Sequence, residues 1–187
     1  MRILGISGSL RRDSHNTELL RAAATLLPSG VEFELYDGLR DIPPYDEDED
    51  QSQVEAVTDL KRRIAGADAV LFATPEYNHS IPGHLKNALD WVSRPLADTS
   101  LKRKPVAVIG ASTGMFGAVW AQAELRKVLG AIGAQVIDRE LPVPMADEIV
   151  RDREKLESSG THSLIVGILA ELMAAADART TKLSAAA

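Results

Sequence analysis

The chain has 187 residues, 45% of them hydrophobic and 26% charged, which suits one globular domain with a substantial core. Its net charge of −6 and isoelectric point near 5.2 argue against a general nucleic-acid binder, which presents a basic face. The absence of cysteine removes disulfides, thiolate nucleophiles, cysteine-ligated zinc and iron–sulfur clusters.

Arg2 to Ile6 reads as a short buried strand, with no apolar signal region before the charged Arg11-Arg12-Asp13. From Asn16 onward, Leu19, Leu20, Ala23, Leu26 and Leu27 share a helical face, and Pro28-Ser29-Gly30 stops the helix. "VEFELYD" alternates as a half-buried strand near a sheet edge. A long loop follows, with Pro43-Pro44 and the acidic run 46–50. That run reads as a solvated surface, with a metal site as the lesser alternative. Val54, Val57, Leu60 and Ile64 mark a second helix ending near Gly66.

"AVLFAT" (Ala69 to Thr74) is continuously apolar, as a parallel strand covered on both faces requires. A polar loop from Pro75 to Pro82 leads into a short helix from Gly83 to Val92. "PVAVIG" (Pro105 to Gly110) is another buried strand, and "ASTGMFG" (Ala111 to Gly117) opens a helix that closes at Gly133. Ala134 to Leu141 reads as a fifth strand. Leu164, Ile165, Ile168, Leu169, Leu172 and Met173 form the apolar stripe of a last helix, with a frayed tail expected over 178–187. No stretch approaches the ~18 apolar residues of a membrane span, so a soluble, cytoplasmic protein is the expectation.

Five strands alternating with five helices predict an α/β domain over 1–187, with a parallel sheet and helices on both faces. Ligands of such sheets bind beyond the carboxyl ends of the strands. Three loops occupy that position, and they are also the richest in Gly, Ser, Thr and Asn: 8–17, 75–82 and 111–117.

The first loop, "ISGSLRRDSHNT", ends at a helix N-terminus, where unpaired N–H groups and the helix dipole attract an anion. Ser9, Ser14, Asn16 and Thr17 offer hydroxyl and amide groups and Arg11 offers charge; plain helix capping by Ser14 or Asn16 is the competing reading. No Gly-Lys-Ser/Thr follows Gly8 and no Gly-x-Gly-x-x-Gly is present, which removes the P-loop and dinucleotide fingerprints. A phosphatase loop of similar form needs the missing cysteine. A terminal monophosphate held without cleavage remains, such as that of FMN. In the second loop, Tyr77 offers an aromatic surface and Asn78 a donor and an acceptor. The third is a Gly-rich backbone that a planar ligand can approach closely. His79 and His84 lack the spacing of a helical metal pair, with Pro82-Gly83 between them. Lys86, Asp90 and Trp91 read as structural or interfacial, and the apolar surroundings of Trp91 and Trp120 as a dimer face.

"GSLRRDSHNT", "PEYNHSIPGHLKNALDW" and "KPVAVIGASTG", in that order over Arg2 to Leu141, resemble the NADPH-dependent FMN reductases, a group that includes quinone, chromate and azo-dye reductases. The resemblance implies a flavodoxin-like doubly wound sheet of order 2-1-3-4-5, with FMN bound and NADPH or NADH as co-substrate. It implies that Ser9, Arg11, Asn16 and Thr17, with Ser14 beside them, hold the FMN phosphate. Pro75, Glu76, Tyr77 and Asn78 would border the ring, and Ser112, Thr113 and Gly114 would form its third side. The chain departs from the family pattern after Gly114. There Met115-Phe116-Gly117-Ala118-Val119-Trp120 stands in place of glycines and an arginine or another polar residue, a change on the nicotinamide side of the pocket.

Such a protein would pass a hydride from NAD(P)H through FMN to a quinone, flavin, azo compound or metal oxyanion by a ping-pong mechanism, with no side chain as general acid or base. It would form a homodimer or homotetramer, without nucleic-acid or membrane partners. A flavodoxin-like electron carrier that never meets NAD(P)H is the alternative. For Arg12, a dinucleotide contact and a solvated surface role both stay open.

Overall fold

The computed structural model describes residues 1–49 and 51–185. In chain order its elements are β1 (Arg2–Ser7), α1 (His15–Thr25), β2 (Glu32–Tyr36), α2 (Glu55–Gly66), β3 (Ala69–Thr74), α3 (Gly83–Val92) and β4 (Pro105–Ala111). Then follow α4 (Val119–Ile132), the two-residue strands β5 (Gln135–Val136) and β6 (Pro142–Val143), α5 (Ala146–Ile149), α6 (Arg153–Ser158) and α7 (Thr161–Ala185).

Every strand pairing is parallel, and the order is β2-β1-β3-β4-β5, the flavodoxin-like order expected. Side chains alternate across the sheet, so each strand feeds two cores. Leu4, Ile6, Val70, Phe72, Val106 and Val108 pack beneath α2, α3 and α4, whereas Ile3, Leu71, Ala73, Ala107 and Ile109 pack beneath α1 and α7. Burial on both faces explains why β3 and β4 are apolar without a break. β2 lies at the sheet edge, as its polar alternation predicts.

The predicted fifth strand, 134–141, divides into two. β5 pairs with the start of β4 at Pro105 and Val106, and β6 pairs with its end at Gly110 and Ala111. Between them 138–140 bulge outward, exposed, and Arg126 holds both Asp138 and Glu140. The buried Gln122 fills the gap: its Oε1 accepts from the Leu141 N–H at 3.1 Å, a bond that a neighbouring strand supplies in a regular ladder.

The C-terminal segment also differs from expectation. α7 continues to Ala185, so the frayed tail expected from 178 is helical that far, and 186–187 lie outside the described residues. By length and composition its segment Thr161–Lys182 is apolar enough to cross a membrane, contrary to the sequence expectation. Its apolar stripe is used within the domain: Ile165, Ile168, Leu169, Leu172 and Ala176 are buried on the sheet, while Leu164, expected in that stripe, faces outward. The acidic residues 46–49 are exposed, and Asp50 lies outside the described residues.

Candidate functional site

The loops after β1, β3 and β4 meet at the carboxyl edge of the sheet around a cleft of about 290 Å³. Nine of the twelve expected site residues line it: Ser9, Arg11, Ser14, Asn16, Pro75, Glu76, Tyr77, Ser112 and Thr113. Thr17, Asn78 and Gly114 lie outside the lining.

The first loop is fixed at both ends. The Gly8 N–H donates to the Ala73 carbonyl at 2.7 Å, and His84 Nε2 lies 2.9 Å from the Gly8 carbonyl, to which it donates. Burial holds the His84 pKa below the usual histidine value. A Cβ at position 8 would stand 2.8 Å from Leu85 Cδ2, which accounts for the glycine. At the far end Ser14 caps α1, its Oγ accepting from the Thr17 N–H at 3.3 Å, and Thr17 Oγ1 donates to Ser7 Oγ at 2.8 Å. The capping reading therefore holds for Ser14, and Thr17 serves the strand end.

Asn16 is buried, and its amide is spent on β4: Nδ2 donates to the Ala111 carbonyl and Oδ1 accepts from the Ala111 N–H, each at 2.9 Å. What stays available at the head of α1 is backbone. The N–H groups of His15 and Asn16 have no acceptor among the described residues, while the Glu18 N–H reaches the Ser14 carbonyl. Those two donors, the helix dipole, the Ser9 hydroxyl and the exposed Arg11 make an anion cradle.

The second and third loops are tied together by Glu76. Its Oε2 accepts from the N–H groups of Trp120 and Ala121 at 3.1 and 3.2 Å, so a residue after β3 caps the head of α4. Residues 77–80 form a tight turn, with Tyr77 and Ser80 exchanging backbone bonds of 3.0 and 3.1 Å. Asn78 and His79 take φ of 54° and 60°, the two left-handed positions of a type I′ turn, where asparagine is favoured. The turn thus accounts for Asn78, which sits exposed at its tip. Tyr77 is about half exposed at the mouth of the cleft.

Gly117 (φ 58°) lies so close to β6 that a Cβ would stand 2.5 Å from the Val143 nitrogen. That close approach pushes 113–116 outward. Met115 and Phe116 are exposed beside the cleft, Phe116 meets Trp120 at 4.9 Å, and Trp120 meets His79 at 4.8 Å, both edge to face. An aromatic shelf therefore borders the open side. Trp91 takes no part in any surface: it is buried, and its Nε1 donates to the Pro43 carbonyl at 2.9 Å. The interfacial expectation for it is corrected. Lys86 and Asp90 pair with each other on the exposed side of α3.

The sequence reading missed two groups. His15, the first residue of α1, lines the cleft, and its Nδ1 is buried without a partner. Burial, then Arg11 and Arg151, hold its pKa down. Its place directly after the cap was the available signal. Arg151 reaches the same loop, donating to the Asp13 carbonyl at 3.2 Å, but from 138 residues away, which no local pattern announces.

Residues 1–148 match the model of the NADPH-dependent FMN reductase family, a segment that contains all three loops and stops short of Arg151. The chain is 46% identical over 128 residues to a 2-hydroxy-1,4-benzoquinone reductase of Burkholderia sp., covering 68% of this chain and 69% of that one. It is 48% identical over 130 residues to an NAD(P)H-dependent FMN reductase of Pseudomonas aeruginosa, covering 69% of each chain. Among solved structures, the flavoenzyme NAD(P)H:(acceptor) oxidoreductase FerB of Paracoccus denitrificans matches with a TM-score of 0.76 at 37% identity, over 91% of this chain and 97% of that one.

Proposed function

Because the chain belongs to the NADPH-dependent FMN reductase family, we propose that the cleft carries a hydride from NAD(P)H through FMN to a quinone-class acceptor, the two substrates using one face in turn. The protein is an oxidoreductase of the NAD(P)H-dependent FMN reductase and quinone reductase type, with FMN as its cofactor. The observation that carries the proposal is the cradle at the head of α1. Two free N–H groups, the Ser9 hydroxyl, Arg11 and the unpartnered His15 Nδ1 converge on one end of the cleft, and its other end opens beside Tyr77.

That donor set fits a phosphate monoester. The His15 and Asn16 backbone groups, with Ser9 and Arg11, hold it, while the Asn16 side chain fixes the helix head that presents them. Pro75, Glu76, Tyr77, Ser112 and Thr113 flank the ring, with Glu76 holding the second and third loops at a fixed separation. FMN supplies the hydride acceptance and donation, so the protein needs no general acid or base. Its part is to bind, to orient and to leave one face open. The aromatic shelf of Phe116 and Trp120 favours flat, apolar acceptors on that face. The reading includes a cytoplasmic homodimer or homotetramer, to which the exposed Trp120 face is open and Trp91 is not.

Anaerobic titration tests it. The purified protein should be yellow, or become so with FMN, and NADPH or NADH should bleach it; a quinone should then restore the colour. Initial rates against both substrates should give parallel double-reciprocal lines. A protein that binds no FMN would sink the flavin reading, and a yellow protein bleached by neither nucleotide would point to an electron carrier.

A further inference from the structure

The opposite edge of the sheet, where the strands begin, holds an open cavity of about 900 Å³. Its charged lining comes from the turn before β4 (Lys102, Arg103, Lys104) and from the end of α7 (Arg179, Lys182). Five cationic side chains face one carboxylate, Asp98, in a protein whose net charge is −6.

The fold itself uses only two of these cations. Lys104 is buried and donates to the Ala65 carbonyl at 3.2 Å and to the Ala67 carbonyl, closing the end of α2. Lys102 donates to the Ala97 carbonyl at 2.5 Å. Arg103, Arg179 and Lys182 have no carboxylate or carbonyl partner among the described residues. The Ser100 hydroxyl, also in the lining, is buried and lacks a hydrogen-bond partner, which is costly for a group enclosed away from water. Burial and the neighbouring Arg179 push the Lys104 ammonium down to about 8, against the raising effect of Asp68. A negative charge is what this place lacks.

We propose that this cavity binds an organic polyphosphate of the size of a nucleoside di- or triphosphate. Arginine forks suit phosphate oxygens, and the Ser100 hydroxyl supplies a neutral donor. Inorganic phosphate would leave most of the space empty, whereas small-molecule sites span about 300–1,000 Å³. Ala65, Ala134 and Gly133 give the organic part an uncharged wall. β4 runs between the two edges, and its seven residues span about 23 Å, so a ligand here lies out of reach of the flavin cleft. The site would respond to a metabolite without competing for the reaction face.

Calorimetric titration of the FMN-loaded protein with ATP at low salt tests the proposal. One saturable site per chain is expected, with inorganic phosphate at least about tenfold weaker. The double substitution Arg103→Gln, Arg179→Gln should weaken ATP by about tenfold or more and leave NADPH-dependent turnover unchanged. Lys182→Gln, at the exposed end of α7, should give a smaller loss of the same sign. ATP affinity untouched by the double substitution, or ATP competing with NADPH, would overturn it. So would binding to phosphatidic-acid vesicles without binding of soluble ATP.

Discussion

Asn16 and Ala111, 95 residues apart, exchange two hydrogen bonds of 2.9 Å that join the head of α1 to the end of β4. Both partners are buried, so water cannot replace either bond. The relationship turns an expected phosphate ligand into the fixture that places the phosphate's true donors, the backbone groups beside it.

Asn16→Ala should therefore act on the apo protein as well as on FMN. It strands the Ala111 N–H and carbonyl, each costing about 1–3 kcal/mol when left unpaired. Thermal unfolding without FMN should fall by several degrees, and FMN retention should weaken. Ser9→Ala should weaken retention while leaving apo stability nearly unchanged, since the Ser9 hydroxyl only accepts a long 3.4 Å bond from the Arg11 N–H. Equal apo stability of the two variants would contradict the division of roles.

Glu76 supplies a second separable contribution. Loss of a helix cap costs about 1 kcal/mol, and for a chain of this size each kcal/mol lowers Tm by about 2–4 °C. Glu76→Ala should show that loss, because the Trp120 and Ala121 N–H groups lose their acceptor. Glu76→Gln keeps an amide oxygen in place and should recover most of it. A Gln variant as unstable as the Ala variant would show that the capping account is wrong.

The layering and strand order were legible because hydrophobic periodicity encodes them: β3 and β4 are unbroken apolar runs, and α2 repeats its apolar residues at helical spacing. Three loops at one sheet edge follow from topology alone. What stayed illegible depends on contacts distant in sequence. Nothing near 134–141 shows that Gln122 will enter the ladder and bend the strand out. Asn16 and Asn78 looked like ligand donors because asparagine suits donation, a buried lock and a left-handed turn equally well. Arg151 could be assigned to the first loop only once the chain between them was folded.

The aromatic shelf should set acceptor preference. Phe116 is largely exposed, so removing it leaves the fold intact and deletes only apolar surface beside the cleft. Phe116→Ser should raise KM for an apolar quinone about fivefold, corresponding to about 1 kcal/mol of lost contact, and barely change KM for ferricyanide. Trp120→Ala should do the same and also free the His79 ring from its edge-to-face contact. A uniform change across both acceptors would point to altered flavin binding instead.

His15 should couple FMN affinity to pH, and the sign can be worked out. In the apo protein its pKa lies below the ordinary 6.5, through burial and then Arg11 and Arg151, against the weaker raising effects of Asp147 and Glu18. Histidine in the unfolded chain then takes up protons first, so apo stability should fall as pH drops from 6.5 toward the native value; His84, also lowered, adds to this in the same direction. A phosphate dianion in the cradle opposes the two arginines and raises the His15 pKa. A ligand that raises a pKa binds more tightly as pH falls through the new value. The ratio of wild-type to His15→Gln affinity for FMN should therefore grow between pH 7.5 and 5.5. The phosphate's own ionisation is common to both proteins and cancels in that ratio. Fluorescence titration of FMN at several pH values measures it, and a ratio constant with pH would remove His15 from the cradle.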